Sequence, residues 1–355
     1  MKKKVAIFVK RLGIGGIGRA CINYVKYLEN EYDITLFLEN KEGEYLDEIS
    51  SDVKVIDFGL SKSSNVIIRK LANFYKLTKF KIKYYHKYDF SANFSTTIKS
   101  GAILSKYFSK NSAYWFHGNY WENQEEADAF LKHYTIKKYQ KIVFVSNYSK
   151  DLYLKAYPDT KQKLYVINNP INYQEIIEKS SEKIDIKSDK KVFLNVGRHE
   201  EFAKRLTMMI NTINRLIKEK YQLELWLVGD GPDTDKYKQM VHDLKLEKSI
   251  KFLGFSSNVY PYYKKCDAIL LSSYMEGNPV VYLEAKVLNK PIISTDVADA
   301  IIELDGYGIV TKFDEESFYL GVKDFLDHGY KITKKFDGKK YNKDVLEKVH
   351  HVIED

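Results

Sequence analysis

Short runs of β-branched and aromatic residues alternate with longer stretches of helical periodicity along the whole of this 355-residue chain. In the first half the pattern predicts strands near 4–9, 33–38, 53–57, 90–94, 113–117, 141–145 and 164–167. Helices are expected between them, near 18–29, 65–87, 97–108, 122–137 and 147–155. Strands that alternate with crossover-length helices predict parallel sheets. The interval 172–191 (NYQEIIEKSSEKIDIKSDKK) has no strand pattern and many charges, which makes it the best linker candidate. A second series then begins: VFLNVG (192–197), LELWLVG (223–229), IKFLGF (250–255), DAILLS (267–272) and PIIST (291–295), with helices between. The expected class is α/β, with two doubly wound Rossmann-like domains, 1–172 and 173–340, facing one another. In such sheets ligands sit beyond the carboxyl ends of the strands. The last amphipathic stretch, 341–353, predicts a helix, and residues 341–355 are expected to pack back on the first domain.

Composition changes this picture little. The length suits two domains with a core each, and 44% hydrophobic, 30% charged residues and six prolines are globular values. The 29 tyrosines decide nothing, because an apolar ring with a polar tip serves cores, interfaces and sugar-stacking surfaces alike. In the N-terminal MKKKVAIFVKRL, Lys10 and Arg11 cut the apolar run too short for a signal peptide or a membrane span. It reads as a first strand. The two cysteines, Cys21 and Cys266, predict neither a disulfide framework nor a metal site, which fits a reducing cytosol.

Charge is more informative. The net charge is +9, and residues 61–110 hold eleven Lys/Arg against one acid, Asp89, so this segment alone accounts for the excess. Within it, 67–88 mixes basic residues with Leu, Phe, Ile and Tyr. Such a stretch can lie on an anionic lipid surface, at about 1 kcal/mol per basic residue, or form an ordinary solvated helix face. Nucleic acid is not expected, because no binding motif accompanies the charge.

Two places carry candidate chemistry. Gly13-Ile-Gly15-Gly16-Ile-Gly18 follows the first strand and opens a helix, with Glu39 at the end of the next strand. Taken alone this pattern would favour an NAD-linked oxidoreductase. Its physics supports something narrower: backbone amides near a helix N-terminus, able to meet phosphate or a hydroxylated ligand. The second place is YMEGNPVVYLEA (274–285), directly after DAILLS. Asn278 and Pro279 suit a helix N-cap and first position. Glu276 lies just before that helix and Glu284 inside it, and each carboxylate can accept from two neighbouring hydroxyls, one pair on a transferred sugar and one on a ribose. A diphosphate also needs cations. Arg198 stands at the carboxyl end of strand 192–197 and Lys204 near the next helix, a planar fork and a point charge for phosphate oxygens.

Taken in order, Gly197-Arg198-x5-Lys204, ValGlyAspGlyPro (228–232), PheLeuGlyPhe (252–255) and Glu276-x7-Glu284 resemble the retaining glycosyltransferases of family 4, which have the GT-B fold. The resemblance spans essentially the whole chain, and within the family the chain looks similar to bacterial capsule or other cell-surface polysaccharide transferases. It implies that Arg198 and Lys204 neutralise the donor diphosphate without a metal or cofactor. It implies that Glu276 holds the donor sugar, with the backbone of Gly277, Asn278, Pro279 and Val280 close to sugar and phosphate. Glu284 would take the ribose hydroxyls, the backbone around Phe255 the base, and Gly16 would close over the diphosphate. His117, ending the strand AYWFH, would reach the transferred sugar. Two departures stand out. The usual Arg–Lys spacing is one residue shorter, so Lys204 and Arg205 compete, Lys204 being favoured, and Asn278 stands where many relatives carry an aromatic. The implied reaction moves a sugar, by default from a uridine diphosphate donor, to a glycan or lipid-linked acceptor at the inner membrane face. Rival readings are a sugar-nucleotide epimerase, the NAD-dependent oxidoreductase and an inactive sugar-nucleotide-binding subunit.

Overall fold

A computed structural model describes residues 1–355 apart from Ile14, 119–123 and 133–135. The chain divides into two compact units, Met1–Pro170 with Asn342–Asp355, and Ile171–Tyr341.

The first unit holds β1 (Lys4–Val9), α1 (Gly16–Leu28), β2 (Asp33–Leu38), β3 (Lys54–Asp57), α2 (Val66–Tyr84), β4 (Phe90–Asn93) and α3 (Lys99–Phe108). It continues through β5 (Ser112–Phe116), α4 (Gln124–Leu131), β6 (Lys141–Phe144), α5 (Asn147–Ala156) and β7 (Lys163–Val166). The helix expected over 122–137 is seen as α4, its positions 122, 123 and 133–135 lying outside the described residues. The strands pair in parallel in the order β3-β2-β1-β4-β5-β6-β7, which puts the reversal of direction between β1 and β4. The glycine loop after β1 therefore stands at the switch point where such sheets bind ligands. The turn is tight: a Cβ on Gly18 would lie 2.3 Å from the Gly13 carbonyl oxygen.

The second unit begins with α6 (Tyr173–Lys179), β8 (Lys191–Val196), α7 (Glu201–Lys204), α8 (Leu206–Lys218), β9 (Leu223–Val228), α9 (Thr234–Asp243) and β10 (Ile250–Gly254). It continues through α10 (Tyr260–Lys265), β11 (Ala268–Leu271), α11 (Val280–Val287), β12 (Ile292–Thr295), α12 (Ala300–Glu303), β13 (Gly308–Thr311) and α13 (Glu315–His328). Its sheet runs β10-β9-β8-β11-β12-β13, again all parallel. Alternate strand residues feed opposite layers, as the two-residue repeat of a strand requires. Phe193, Leu225, Leu227 and Leu270 pack under α8, α9 and α13, whereas Val192, Leu194, Trp226, Val228, Ile269 and Leu271 face residues of α10 and α11.

Two expectations need correction. The interval 172–191 is not simply a linker, because α6 forms within it. Ile171 and Ile176 are buried against Leu283, with Tyr173 packed alongside, so a few apolar positions anchor an otherwise charged segment. The strand β13 was not foreseen: at four residues it falls below the pattern's reach. The last helix, α14 (Gly338–Glu354), buries Val345, Val349, Val352 and Ile353, a helical stripe. It is tied to the first unit through Asn342 to Tyr27 (2.8 Å), Tyr32 to His350 (2.7 Å) and the buried Lys141 to the Val352 carbonyl (3.0 Å). No helix among the described residues is long and apolar enough to cross a membrane.

Candidate active site

In the second unit the reversal of strand direction falls between β8 and β11. The loop after β8 carries Arg198 and leads to Lys204, and the loop after β11 carries Glu276 and opens α11 with Glu284. Topology alone thus puts the sequence-selected cations and acids on the two loops that flank the switch point and on the helices those loops lead into.

Hydrogen bonds then join those loops. Ser272 donates its hydroxyl to the carbonyl of Lys204 (2.8 Å), and the Tyr274 amide donates to the Ala203 carbonyl (2.8 Å). Lys204 Nζ meets Glu276 Oε1 at 2.5 Å, across 72 residues of sequence. Ser273 donates to the same oxygen at 2.7 Å. The pair is partly shielded, with side-chain exposures of 25% for Lys204 and 13% for Glu276. Lys204 also runs back over the β8 loop: its Cε lies 3.9 Å from where a Gly197 Cβ would stand. Arg198 on that loop is 65% exposed and 3.8 Å from Glu200.

The rival Arg205 is placed otherwise. It adopts a left-handed backbone, φ 50°, between α7 and α8, donates to the Phe313 carbonyl at 2.7 Å and lies over the Tyr274 ring. Lys204, not Arg205, is the cation that meets Glu276.

The ValGlyAspGlyPro motif holds the Arg198 loop in position. Gly229 has φ 142°, and a Cβ there would fall 1.9 Å from the Gly197 carbonyl oxygen, so only glycine lets the two strand ends approach so closely. The His199 amide donates to the Asp230 carbonyl (3.1 Å), and the Asp233 amide returns a bond to His199 O (3.1 Å). The His199 ring is buried and bonds Thr234 Oγ1 at 2.9 Å. Burial holds its pKa below the ordinary value.

Helix α11 starts one residue later than expected. Pro279, with extended ψ of 114°, occupies the cap position, and no side chain caps the helix. Asn278 is therefore not the N-cap. The extended backbone of Pro279 excludes it from the first turn, and Gly277, Asn278 and Pro279 are buried. Because α11 follows β11 in a parallel crossover, its first amides lie at the carboxyl edge of the sheet, where they favour anions. Glu284 is buried, and Oε2 accepts from the Tyr263 hydroxyl at 2.6 Å. Burial first, and then the Glu284 charge, push the Tyr263 pKa well up, so the hydroxyl stays a donor and orients the carboxylate. Phe255, just beyond β10, is exposed.

Gly16 and His117 belong to the first unit. Gly16 opens α1. His117 follows β5, its amide donating to Thr96 Oγ1 (3.1 Å) and its ring 4.4 Å from that of Phe94. Burial drives its pKa down to about 3 against the opposing pull of a hydrogen bond to the Phe94 backbone, and Nε2 is buried with no partner among the described residues. A neutral imidazole with an unmet acceptor is suited to a hydroxyl of a ligand. Arg19 pairs with Glu48 (2.9 Å) and stacks on Tyr45. Sequence reasoning missed Ser273 and the His199–Thr234 bond, whose only signal was proximity to strand ends, and Tyr263, which lies within α10 and carried no signal. Among the described residues no cluster of three or more His, Cys, Asp or Glu gathers as a metal site.

Residues 176–342 match the family model of glycosyl transferases group 1. Over 357 residues, 95% of this chain and 93% of the relative, the chain is 24% identical to the N-acetylgalactosamine-N,N'-diacetylbacillosaminyl-diphospho-undecaprenol 4-alpha-N-acetylgalactosaminyltransferase of Campylobacter jejuni. It is 32% identical to the lipopolysaccharide 1,6-galactosyltransferase of Salmonella typhimurium over 141 residues, 38% of this chain and 37% of that one. Anabaena HepE in complex with UDP and glucose superposes with a TM-score of 0.76 at 17% identity, covering 98% and 99% of the two chains. S. aureus TarM, crystallised with UDP, gives 0.76 at 12% identity over 99% and 100%. The structural likenesses establish the fold, and the matched model covers nearly all of the unit that holds Lys204, Glu276 and Glu284. The chain is thus a glycosyltransferase of GT-B fold, whose residues 176–342 match the group 1 glycosyl transferases.

Proposed function

We propose that the protein transfers a hexose or related sugar, with retention of configuration, from a UDP-sugar to a hydroxyl of a lipid-linked cell-surface glycan precursor. The carrying observation is the Lys204–Glu276–Ser273 cluster, which joins the segments after β8 and β11 at the switch point, with Glu284 on the helix that follows. The donor reading is supported by the UDP named in the HepE and TarM complexes. The acceptor reading is supported by the Campylobacter relative, whose name specifies a diphospho-undecaprenol acceptor.

In this reading Lys204 and Arg198 take up the charge that grows on the departing diphosphate, without a resident metal, and the first amides of α11 add to it. Glu276 holds hydroxyls of the transferred sugar, and Glu284, aimed by Tyr263, holds the ribose. His117 accepts from a sugar hydroxyl through Nε2. The bond between the anomeric carbon and the diphosphate oxygen breaks on the face where the acceptor oxygen bonds. The acceptor proton passes to a phosphate oxygen of the leaving group. NMR of the first-formed product tests this: the donor's anomeric configuration is expected, and an inverted anomer overturns it. Conversion of the donor sugar in the absence of acceptor would mark an epimerase instead.

A further inference from the structure

Helix α2 is packed on one side only. Leu77, Phe80 and Tyr84 turn toward the core around Phe8, Phe37 and Phe108. On the other side Ile67, Leu71, Phe74, Tyr75 and Ile82 are each 65–75% exposed. At 3.6 residues per turn these five, with Ile68 and Thr78, fall within an arc of about 120° that contains no charged position. Lys70 and Lys81 border the arc on one side, Lys79 and Lys83 on the other, and the helix has no acid. Eight of the eighteen exposed large hydrophobic side chains among the described residues lie between Val66 and Tyr85. Single exposed apolar residues are ordinary on a protein surface, but a continuous row of them is not.

The helix is held firmly by its other parts. Asn65 caps it, accepting from the Ile67 and Ile68 amides at 3.0 and 3.2 Å. Asn73 accepts from the Ser61 amide (2.6 Å), and Arg69 donates to the Ser63 carbonyl (3.1 Å). Charge complementarity then selects what covers the row. Pairing it with the same row of a second copy would set lysine borders against lysine borders, with no acid on the helix to relieve them. An anionic bilayer satisfies both parts at once, taking the apolar row at the acyl boundary and the lysines at the phosphates.

We propose that α2 is an interfacial helix that seats the first unit on an anionic lipid surface, lying in the membrane plane with Leu71, Phe74 and Ile82 inserted. Its purpose rests on the lipid-linked acceptor reading, but the docking itself is measurable without any transfer. The test is flotation of the full chain with vesicles of phosphatidylcholine alone and of phosphatidylcholine with phosphatidylglycerol. Binding at least tenfold tighter to the anionic vesicles is expected. The double variant Phe74→Ser/Ile82→Ser should lose at least tenfold. Lys79→Gln/Lys83→Gln should lose about fivefold per lysine, an effect that shrinks as salt rises. All four positions are outside the core, and circular dichroism checks that the variants fold. Transfer to an acceptor presented in detergent should be unchanged in both variants, so a failure of docking is separable from a failure of the transferase reading. Equal binding to both vesicle types, no binding, or vesicle binding unmoved by Phe74→Ser/Ile82→Ser overturns the proposal. So does a dimer in solution that the same substitution converts to monomer while the parent ignores vesicles.

Discussion

Replacing Lys204 by alanine separates a cation of the reaction from an ion pair of the fold. Lys204 lies 2.5 Å from Glu276, with exposures of 25% and 13%, between the fully exposed and the buried case. Loss of such a partly shielded pair costs about 1–2 kcal/mol of stability. The cost stays moderate because Ser273 still donates to Glu276 at 2.7 Å. The transition state is affected more. Removing one preorganised group that meets developing negative charge slows turnover about 10²–10³-fold, or about 2.7–4 kcal/mol. Steady-state transfer at saturating donor, set beside urea unfolding of the same variant, measures both quantities. The account requires kcat to fall well beyond what the loss of folded protein explains. Arg205→Ala is the control: its guanidinium serves the Phe313 carbonyl, so stability should drop by about 1–2 kcal/mol while kcat holds. Turnover of Lys204→Ala within about threefold of the parent would refute the assignment, leaving a structural ion pair.

Three further outcomes follow from the same geometry. Glu276→Gln removes the charge that neutralises Lys204, so calorimetry should find UDP alone bound as tightly as in the parent or tighter, while transfer collapses. Equal losses of both would place Glu276 against the nucleotide instead of the sugar. Tyr263→Phe deprives Glu284 of its 2.6 Å donor and should raise the donor KM about fivefold with little change in kcat, whereas a pure loss of stability would move neither. The third concerns acid. His117 is held at about 3 in the fold and titrates near 6.5 when unfolded. Between those values the unfolded chain binds the proton and the folded chain does not, so stability falls with pH at up to about 1.4 kcal/mol per unit. His117→Asn should flatten that slope between about pH 6.5 and pH 4, and an unchanged slope would put the ring in a solvated setting.

Much of this was readable from one sequence, for identifiable reasons. Parallel strands covered on both faces read as near-continuous apolar runs, so LELWLV and DAILLS marked β9 and β11 unmistakably. The cations and acids of the candidate site were visible because motifs at strand ends have few alternative uses. What escaped depends on contacts between distant segments. Nothing in the order of residues says that Ser273 and Lys204 share one oxygen of Glu276, or that Tyr263 aims Glu284 from another helix. The role of Gly229 becomes clear only when the Gly197 carbonyl is found against it. Asn278 misled because its cap propensity is a local preference, overridden where Pro279 takes the cap position with extended backbone. Charge marked out the basic segment, but the apolar row between its lysines appears only once the packed face of α2 is known.

The central claim is that the β8 and β11 loops of the second unit hold a nucleotide-diphosphate sugar, and a crystal structure of the chain grown with a UDP-sugar tests it most directly. The account predicts diphosphate oxygens within hydrogen-bond distance of Lys204 Nζ, ribose hydroxyls on Glu284 and sugar hydroxyls on Glu276. A nucleotide found elsewhere on the protein, with the Lys204–Glu276 pair undisturbed, would contradict it.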